Sequence, residues 1–572
     1  MTLPTDAPRD PLAQRRATLA RLRDEPFDLV VVGGGITGAA VARDALVRGY
    51  RVALVERTDY GFGTSSRSSR LVHGGLRYLE HGQVALVFES LDERARLARL
   101  ARHLVRPLPF LFPVYRGDER RLLTVRMGFW AYDALALFRN YRFHRTLPAS
   151  RVVESMPGLC VEDLKGGVLY YDYQTDDARL VLENALAAHA LGGAVLSQAE
   201  AKSFDFAHGR VRSVEVQDRL SGEVFAIRTT AVVCAAGPWT DELLGRAGES
   251  RRWLRPTKGV HIVVPRARLP VDEALVMRHP EDRRLHFVLP YHEHTVVGTT
   301  DTDFHGDPAH VAATAADVRY LFTSVARYFP AVTLRPEEVV SSWAGVRPLL
   351  DQDPGADPSA LSREHRIQVR PDGLVVIAGG KLTTFRRMAA ECVDAASRAI
   401  AAGGGPTHRR GAGTRELFLP GGVGLTNDEE LAALQARLAE SAGDPQVGAH
   451  LGLLYGARGP EVLALAATHP RLRRRVAEGL PYLWAEIAFA GREEFACTLS
   501  DVLVRRTQLF YRDPQQGLGV AEEAAELLAP ILGWDPSEEA RQVAAYRALV
   551  AENRAWRGEF APPVQGSAAL SA

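Results

Sequence analysis

Cysteine, net charge and long apolar runs are all scarce in this chain, and each scarcity excludes a class of protein. Four cysteines occur in 572 residues with no C-x-x-C pair, so we expect no disulfide framework, no metal site and a reducing, cytosolic setting. The net charge of +1 gives no global reason to expect nucleic acid as a partner. No run of about 18 apolar residues occurs, so no helix is expected to span a membrane. The Arg-rich residues 1–25 lack an apolar core, and we expect no secretory signal there.

Lysine is rare as well, because arginine supplies all but four of the 70 basic side chains. A lysine kept in such a chain can mark a need for a compact ammonium group. Lys258 and Lys381 stand out, since each lies beside glycine in a motif-like stretch. Chance retention is the alternative for either residue.

Residues 27–56 contain the pattern from which the rest of the chain is interpreted. A Val-rich strand runs into G-x-G-x-x-G, then into an Ala-rich helix and a second apolar strand that ends on Glu56. In such a βαβ unit Gly33 permits the tight turn, Gly35 lets the backbone approach a pyrophosphate, and Gly38 lets the helix pack closely. The helix N-terminus faces the phosphates, and Glu56 is placed to bind the ribose hydroxyls of an adenosine. This unit predicts a dinucleotide site.

Residues 61–79 are dense in serine, threonine and glycine and follow directly on this unit. Such a loop can supply N–H and hydroxyl donors to a pyrophosphate and to a ring system. A solvated Ser-rich loop is the alternative. The embedded His73, Arg77 and Tyr78 argue against it.

Two later stretches repeat the logic of the first strand. Residues 231–239 and 374–384 each read as a buried strand ending in small residues, which lets the backbone approach a nucleotide closely. We expect both in the same parallel sheet as the first strand, in a discontinuous domain. The chain has no second G-x-G-x-x-G in a βαβ context, which a flavoenzyme reduced by a nicotinamide usually needs. The sequence therefore predicts one bound FAD, reduced by an organic substrate and reoxidised by something other than a nicotinamide.

The fold class expected is α/β: a discontinuous Rossmann-like FAD-binding domain with an inserted α+β substrate domain and a C-terminal helical domain. The β-rich segments between the strands suit the insertion, and residues 427–557 show helical periodicity after a Gly/Pro-rich break. The predicted boundaries are an N-terminal tail (1–25) with one short helix; an FAD-binding domain within 26–410 (about 26–80, 151–250 and 351–410); an interleaved substrate and membrane-facing domain (about 81–150 and 251–350); a helical domain (411–560); and a tail (561–572).

Residues 120–145 combine arginines with aromatic and aliphatic side chains. Basic residues flanking an apolar face are typical of a helix lying in an anionic membrane interface. A helix that packs between domains and has basic rims would carry the same pattern, so both interpretations stand.

Seven ordered motifs between about residues 26 and 400 resemble those of FAD-dependent, quinone-linked (aerobic-type) glycerol-3-phosphate dehydrogenases. They are 64–80 (TSSRSSRLVHGGLRYLE), 176–180 (DDARL), 236–239 (AGPW), 258–265 (KGVHIVVP), 298–301 (GTTD), 345–349 (GVRPL) and 379–386 (GGKLTTFR). The helical remainder resembles that family's C-terminal domain more loosely.

The resemblance implies oxidation of sn-glycerol 3-phosphate to dihydroxyacetone phosphate, with hydride passing from C2 to N5 of FAD and then electrons to ubiquinone or menaquinone. It also implies a cytoplasmic protein bound peripherally at the inner-membrane surface, which favours the membrane interpretation of residues 120–145. No nucleic acid is expected, and the oligomeric state is open, with a homodimer as one option.

The resemblance also assigns site residues. His73 and His261 match histidines near the flavin, either of which could accept the C2 hydroxyl proton, and we favour His73. The expected substrate-binding residues are Arg77, Tyr78, Arg347, Lys381, Thr300 and Asp301; a dianionic phosphate calls for such a cluster of cations. The expected cofactor-binding residues are Gly33, Gly35, Ile36, Thr37, Gly38, Glu56, Thr64, Ser65, Ser66, Ser68, Ser69, Gly74, Gly75, Leu76, Ala236, Gly237, Gly345, Arg347, Gly380, Lys381, Leu382, Thr383 and Thr384.

Three alternatives remain. An oxygen-using glycerophosphate oxidase of the same fold is one, although the insertion such oxidases often carry is not evident here. A non-catalytic FAD-binding subunit is another, which the set of Arg77, Arg347 and Lys381 opposes. An amine or amino-acid oxidase is the third, but three cations suit a phosphate better than a zwitterion. One departure from the family pattern is Arg70, where lysine is common, so the role of that cation is in doubt.

Overall fold

The structure is a computed structural model that describes residues 10–75, 82–137, 139–351, 364–408 and 413–560. The strands in chain order are β1 (Leu29–Val32), β2 (Val52–Val55), β3 (Leu71–Val72), β4 (Arg106–Tyr115), β5 (Arg145–Pro148), β6 (Leu164–Gln174), β7 (Ala194–Leu196), β8 (Ala199–Ala207), β9 (Arg210–Asp218), β10 (Val224–Arg228), β11 (Val232–Cys234), β12 (Leu254–Pro265), β13 (Ala274–Arg278), β14 (Leu285–Tyr291), β15 (His294–Gly298), β16 (Thr302–Asp303), β17 (Ser341–Leu350), β18 (His365–Val369) and β19 (Leu374–Gly379).

The helices are α1 (Pro11–Asp24), α2 (Ile36–Val47), α3 (Val84–Leu100), α4 (Leu122–Leu135), α5 (Ala149–Ser155), α6 (Asp177–Ala190), α7 (Thr240–Gly245), α8 (Ala315–Tyr328), α9 (Phe385–Ala402), α10 (Asp428–Ala442), α11 (Pro445–Leu454), α12 (Gly459–Ala467), α13 (Pro470–Arg473), α14 (Trp484–Glu493), α15 (Leu509–Arg512), α16 (Ala521–Leu532) and α17 (Pro536–Arg554). Within the ranges described above, no helix has the length and apolar character needed to cross a bilayer.

The first sheet has six strands in the order β18-β19-β11-β1-β2-β7. All pairs are parallel except β18 with β19, and Val31 on β1 lies between Leu54 on β2 and Val233 on β11. Both later strands predicted for this sheet therefore pair in it, β11 directly against β1 and β19 against β11. Because parallel strands end at the same edge, their three small-residue turns lie side by side.

The two faces of this sheet are covered by different layers. Leu29 and Val31 pack into one apolar cluster with helices α2, α6 and α9, whereas Val30 and Val32 pack into another with the β8-β9-β10 sheet. Side chains alternate across a strand, so a strand that is apolar at every position is covered on both sides. The Val-rich run at 29–32 reflects this double burial.

The second sheet has ten strands, with a path β16-β12-β15-β14-β13-β4-β6-β3 to which β17 and β5 add. It accounts for the β-rich segments expected between the dinucleotide strands. One segment lies elsewhere than the sequence indicated: β6, within residues 151–250, pairs along β4 and β5 of this sheet rather than with the dinucleotide strands. Its sequence gave no sign of its partner, because register across distant strands is a tertiary property.

The C-terminal helices α10 to α17 form one apolar cluster that continues into the ten-stranded sheet. Buried ion pairs tie this helical region to the dinucleotide region: Arg506 binds Asp59 at 2.7 and 2.8 Å, and Arg179 on α6 binds Glu494 at 2.6 and 2.9 Å. The short helix expected in residues 1–25 is α1. It is packed rather than loosely attached, since Leu22 is completely buried among residues of the first sheet and the β8-β9-β10 layer.

Candidate active site

A cavity of about 410 Å³ lies where the turns after β1, β11 and β19 face the ten-stranded sheet. We call it the nucleotide cleft. Its walls include the G-x-G-x-x-G turn, the Ser-rich loop and one end of β17. Ligands of open α/β sheets bind outside the carboxyl ends of the strands, which is the position of this cleft.

The glycines of the first turn meet the steric demands predicted for them. Gly33 has φ +110°, and a Cβ there would lie 2.5 Å from the carbonyl oxygen of Ala235. A Cβ on Gly38 would lie 1.8 Å from the carbonyl oxygen of Gly33, so only glycine lets α2 pack against this turn. Gly33 and Gly35 line the cleft with Ile36 and Thr37, whereas Gly38 acts from behind it.

Glu56 lies at the end of β2 and lines the cleft, as predicted. Its carboxylate accepts N–H bonds from Gly34 at 2.6 Å and from Thr58 at 2.8 Å. Burial raises the pKa of Glu56, and these hydrogen bonds oppose the rise. The turn and the acid are thus held together in the arrangement that a dinucleotide requires.

Some hydroxyl groups of the Ser-rich loop face the cleft and others do not. Thr64, Ser65, Ser68 and Ser69 line the cleft, and Ser65 Oγ accepts the N–H of Ile36 at 3.0 Å at the start of α2. Ser66 is buried and does not line the cleft, so its predicted contact with the cofactor is not supported.

The remaining predicted cofactor positions separate into two groups. Gly75, Ala236, Gly237, Gly345, Gly380, Leu382 and Thr383 line the cleft. Gly74 and Thr384 do not: a Cβ on Gly74 would lie 2.3 Å from the hydroxyl of Tyr132, and the Thr384 side chain is buried at the start of α9. These two positions shape the wall from behind. Leu76 lies outside the described residues.

Both predicted histidines line the cleft. The main chain of His73 is fixed by Thr383, whose Oγ1 accepts its N–H at 3.1 Å and donates to its carbonyl at 3.2 Å. His261 is buried, stacks on Trp343 with ring centres 4.9 Å apart, and lies 2.8 Å from Ser69 Oγ through Nε2. Burial, followed by repulsion from Arg347 and Arg70, lowers the pKa of His261 well below its usual value. Its imidazole is therefore neutral at physiological pH.

Two predicted cations line the cleft, Arg347 from β17 and Lys381 from the turn after β19. Asp301 also lines it and accepts from Arg347 Nη1 at 3.0 Å, while Thr299 Oγ1 accepts from Nη2 at 3.0 Å. Thr300 does not reach the cleft: its hydroxyl accepts the N–H of Val260 at 3.0 Å and faces Asp317. Thr299, its neighbour, lines the cleft instead. Arg77 and Tyr78 lie outside the described residues.

Several lining residues were not predicted. Trp239 and Phe62 stack with ring centres 6.3 Å apart near the glycine turn, and Arg57 lies over Trp239 at 4.6 Å. The buried indole N–H of Trp239 makes no hydrogen bond within the described part of the chain. Across the cleft, the ten-stranded sheet contributes an apolar wall, which contains Phe110, Phe112, Tyr170, Val276, Leu285 and Phe287. The sequence analysis did not single them out, since nothing local distinguishes a cleft-facing aromatic residue from a core one.

Arg70, whose role the sequence left in doubt, lies behind the cleft rather than in it. It is buried, with its guanidinium 4.7 to 4.9 Å from the ring centres of Tyr291, Trp343 and Tyr511. It donates to Gln508 Oε1 at 2.6 Å and lies 3.8 Å from Asp177. Arg70 therefore joins the Ser-rich loop to the C-terminal region and has no direct path to a ligand.

The fit of the cleft to FAD rests on these features: the glycine turn that a Cβ would obstruct, Glu56 at the end of β2, and the buried donor of Trp239 with no protein acceptor. Residues 28–385 match the family described as FAD dependent oxidoreductase, and residues 412–539 match the C-terminal domain of alpha-glycerophosphate oxidase. Fold and cleft together define an FAD-dependent oxidoreductase, so the predicted fold class and cofactor are confirmed.

Comparison with similar proteins identifies the family within this class of oxidoreductases. The chain is 41% identical over 545 residues to glycerol-3-phosphate dehydrogenase 2 of Mycobacterium tuberculosis, an alignment that covers 94% of this chain and 90% of that protein. It is 34% identical over 550 residues to the aerobic glycerol-3-phosphate dehydrogenase of Staphylococcus saprophyticus, covering 95% and 97%. The glycerol-3-phosphate dehydrogenase of Bacillus halodurans, solved as a complex with FAD, superposes with a TM-score of 0.79 at 30% identity, covering 95% of this chain and 98% of that one. This chain belongs to the FAD-dependent glycerol-3-phosphate dehydrogenase family, and the enzyme class inferred from its motifs is confirmed.

Proposed function

We propose that this enzyme oxidises sn-glycerol 3-phosphate to dihydroxyacetone phosphate and passes the electrons to a membrane quinone. The observation that carries the proposal is that one cleft contains both kinds of site. Gly33 and Glu56 form its dinucleotide-binding part, and the cations Arg347 and Lys381 line the same cleft as the two histidines. Bound FAD would supply the two-electron acceptor for the C2 hydride, at N5.

The cations suit the phosphate end of the substrate. A guanidinium binds two phosphate oxygens in a fixed geometry, and an ammonium adds a compact point charge. Asp301 and Thr299 hold Arg347 in place, so little side-chain entropy remains to be lost on binding. This preorganisation favours a substrate with a small dianionic end over glycerol itself.

His73 is our choice for the residue that accepts the C2 hydroxyl proton. Its backbone is clamped by Thr383 at the cleft wall, so the ring projects from a fixed point. His261 lies against Ser69, and its lowered pKa makes it the weaker base of the two, which suits a positioning role. Replacing each in turn by asparagine and measuring the pH dependence of flavin reduction separates the roles: loss of His73 should remove the acidic limb, where protonation of the base slows the reaction, and loss of His261 should mainly raise KM.

The quinone part of the proposal rests on an exposed apolar face. Leu123, Met127 and Trp130 on α4 have exposed fractions of 67, 65 and 52%, and Phe143 nearby has 53%. Exposed arginines flank them, including Arg126, Arg139, Arg142 and Arg145. Large apolar side chains at helical spacing with a basic rim suit a helix that lies in an anionic membrane interface. We propose that this face docks the enzyme peripherally on the cytoplasmic side, where a quinone can reach it.

An oxygen-using oxidase is the second candidate, since residues 412–539 match a domain described for alpha-glycerophosphate oxidase. Hydrogen peroxide yield, measured with and without a soluble quinone analogue, distinguishes the two. A dehydrogenase should give little peroxide and a rate that rises with quinone.

The test of the substrate is an anaerobic absorbance titration of the flavin. Glycerol 3-phosphate should bleach the flavin band, whereas glycerol, which lacks the phosphate, should not do so at the same concentration. Arg347→Gln, saturated with FAD beforehand, serves as the matched variant, because it should require much more substrate for the same bleaching. A flavin that stays oxidised with glycerol 3-phosphate would refute the proposal.

A further inference from the structure

A second cavity, of about 350 Å³, has in its wall Gln508, which accepts a hydrogen bond from Arg70. We call it the interface cavity, because three parts of the fold meet in its walls. The dinucleotide region supplies residues near the ends of α3 and α6, the ten-stranded sheet supplies Arg106 and the β14–β15 turn, and the C-terminal helices supply α11, α15 and the 479–482 loop. A cavity of this size falls in the range that holds a small organic ligand.

The walls of the interface cavity combine polar and apolar side chains. Arg106 and His292 are among the polar ones. The apolar side of the lining comes from the end of the α3–β4 connection, α11 and the 479–482 loop: Leu104, Ala449, Leu453, Leu454 and Pro481. This combination suits a ligand that carries one polar group on an apolar body.

Most charged groups facing the interface cavity are already matched. Arg512 binds Glu293 at 2.7 Å and Tyr482 at 2.7 Å. Asp176 caps α6 through the N–H of Arg179 and accepts from Gln508. Of the two further lining histidines, His450 lies 2.7 Å from Glu486 and His103 lies 3.9 Å from Glu183.

Arg106 differs from these groups. Its guanidinium makes no ion pair or hydrogen bond with any residue in the described ranges, although the residue is half-buried in the cavity wall. Burial lowers the pKa of Arg106 despite the opposing field of Asp176, so its positive charge is poorly compensated. His292 lines the same cavity and offers a ring nitrogen as a hydrogen-bond donor.

We propose that the interface cavity binds a small monocarboxylate with an apolar body, its carboxylate on Arg106 and His292 and its body against Leu453 and Leu454. A single negative charge matches the single uncompensated cation. A dianionic phosphate would add a second negative charge close to Asp176 and Glu293, which disfavours it. The bidentate fit of a guanidinium to a carboxylate adds direction to the attraction.

The experiment is isothermal titration of the holoenzyme with hexanoate, repeated with hexanol and with inorganic phosphate. Hexanoate should bind saturably, and the other two should bind at least about tenfold more weakly, since each lacks one half of the match. Arg106→Gln should weaken hexanoate binding by at least about tenfold, because it removes a charged hydrogen-bond partner. Arg252→Gln, which removes an exposed arginine elsewhere, is the matched control and should bind as the parent does.

A second variant tests the proposal by filling part of the cavity without changing its charge. Ala449→Phe leaves Arg106 in place but fills the apolar side from an exposed position on α11, so it should abolish hexanoate binding without loss of the fold. Its flavin spectrum provides the folding check. Hexanoate binding that persists in both variants, the absence of any hexanoate binding, or phosphate binding as tight as that of hexanoate would each overturn the proposal. None of these readouts depends on the substrate proposed above.

Discussion

Replacing Arg70 by methionine tests whether the network behind the nucleotide cleft is electrostatic in origin. The guanidinium is buried between three aromatic rings and lies 3.8 Å from Asp177. Asp177 is fully buried, and its Oδ2 accepts the N–H and the hydroxyl of Ser68 at 3.0 and 2.7 Å. Methionine keeps much of the length of Arg70 but leaves Asp177 without its cation.

The expected magnitude follows from burial. Removing one partner of a buried ion pair costs about 3–5 kcal/mol, because the other charge remains uncompensated. Most of this cost should depend on pH. Burial raises the pKa of Asp177 to about 6 from the usual 3.8, and Arg70 opposes that rise. Without Arg70 the folded-state pKa should rise further.

The sign of the pH dependence is fixed by proton binding. An acid whose folded pKa lies above its unfolded pKa binds more protons when folded, so stability falls as pH rises between the two values. In the parent this fall ends near pH 6, whereas in Arg70→Met it should continue to a higher pH. The variant should therefore be more strongly destabilised relative to the parent at pH 8 than at pH 5.

The assay is urea unfolding followed by tryptophan fluorescence at both pH values. Arg70→Met with Asp177→Asn should recover a large part of the loss at pH 8, because no buried charge is left unpaired. Arg51→Met is the matched control: its ion pair with Asp28 is mostly exposed on the arginine side and should be worth about 1 kcal/mol or less. An equal loss at pH 5 and pH 8, with no recovery in the double variant, would show that Arg70 acts by packing alone.

Three further predictions concern the cofactor, the substrate and the membrane. Gly38→Ala should purify with little FAD, measured as the ratio of flavin to protein absorbance, because its Cβ would overlap a carbonyl oxygen; Gly245→Ala, with open space around it, should keep a full complement. Arg347→Gln should raise KM for glycerol 3-phosphate by about 10-fold or more, the value of a charged hydrogen bond, when measured with the variant saturated with FAD, because Arg347 is also an expected cofactor-binding residue. Trp130→Ser should lower sedimentation with anionic vesicles about tenfold, since burying such a side chain is worth about 1.5–3 kcal/mol, with no change in activity toward a soluble acceptor. Full vesicle binding by this variant would place the docking face elsewhere.

Local sequence patterns were sufficient to predict the features of the fold whose physical cause is itself local. The tight turn at Gly33, the close packing at Gly38 and the acid at Glu56 are set by neighbours within one βαβ unit, so their spacing could be read directly from the chain. The same holds for β11 and β19, since an apolar strand that ends in small residues has few other places in a doubly covered sheet.

The direction in which each side chain of a motif points could not be predicted from local sequence patterns. Thr299 and Thr300 are adjacent and chemically identical, yet only Thr299 faces the cleft, because the β12 pairing turns Thr300 toward Val260. Ser65 and Ser66 are likewise adjacent, but only Ser65 lines the cleft. Neither pair lies in a strand, since Thr299 and Thr300 follow β15 and Ser65 and Ser66 lie in a short 3-10 turn, so the direction of each side chain depends on contacts with distant segments.

The amino-acid sequence by itself determined the dinucleotide cradle, the succession of sheet and helical regions, and the cations offered to a substrate. Only the tertiary structure decided that Arg70 is an internal support, that β6 joins the larger sheet, and that a second cavity lies where three regions meet. The physical reason is the separation along the chain between the residues that make each contact. Turns and helices are stabilised by contacts a few residues apart, whereas the interface cavity has Arg106, His292 and Leu453 in its walls, which come together only when distant segments pack.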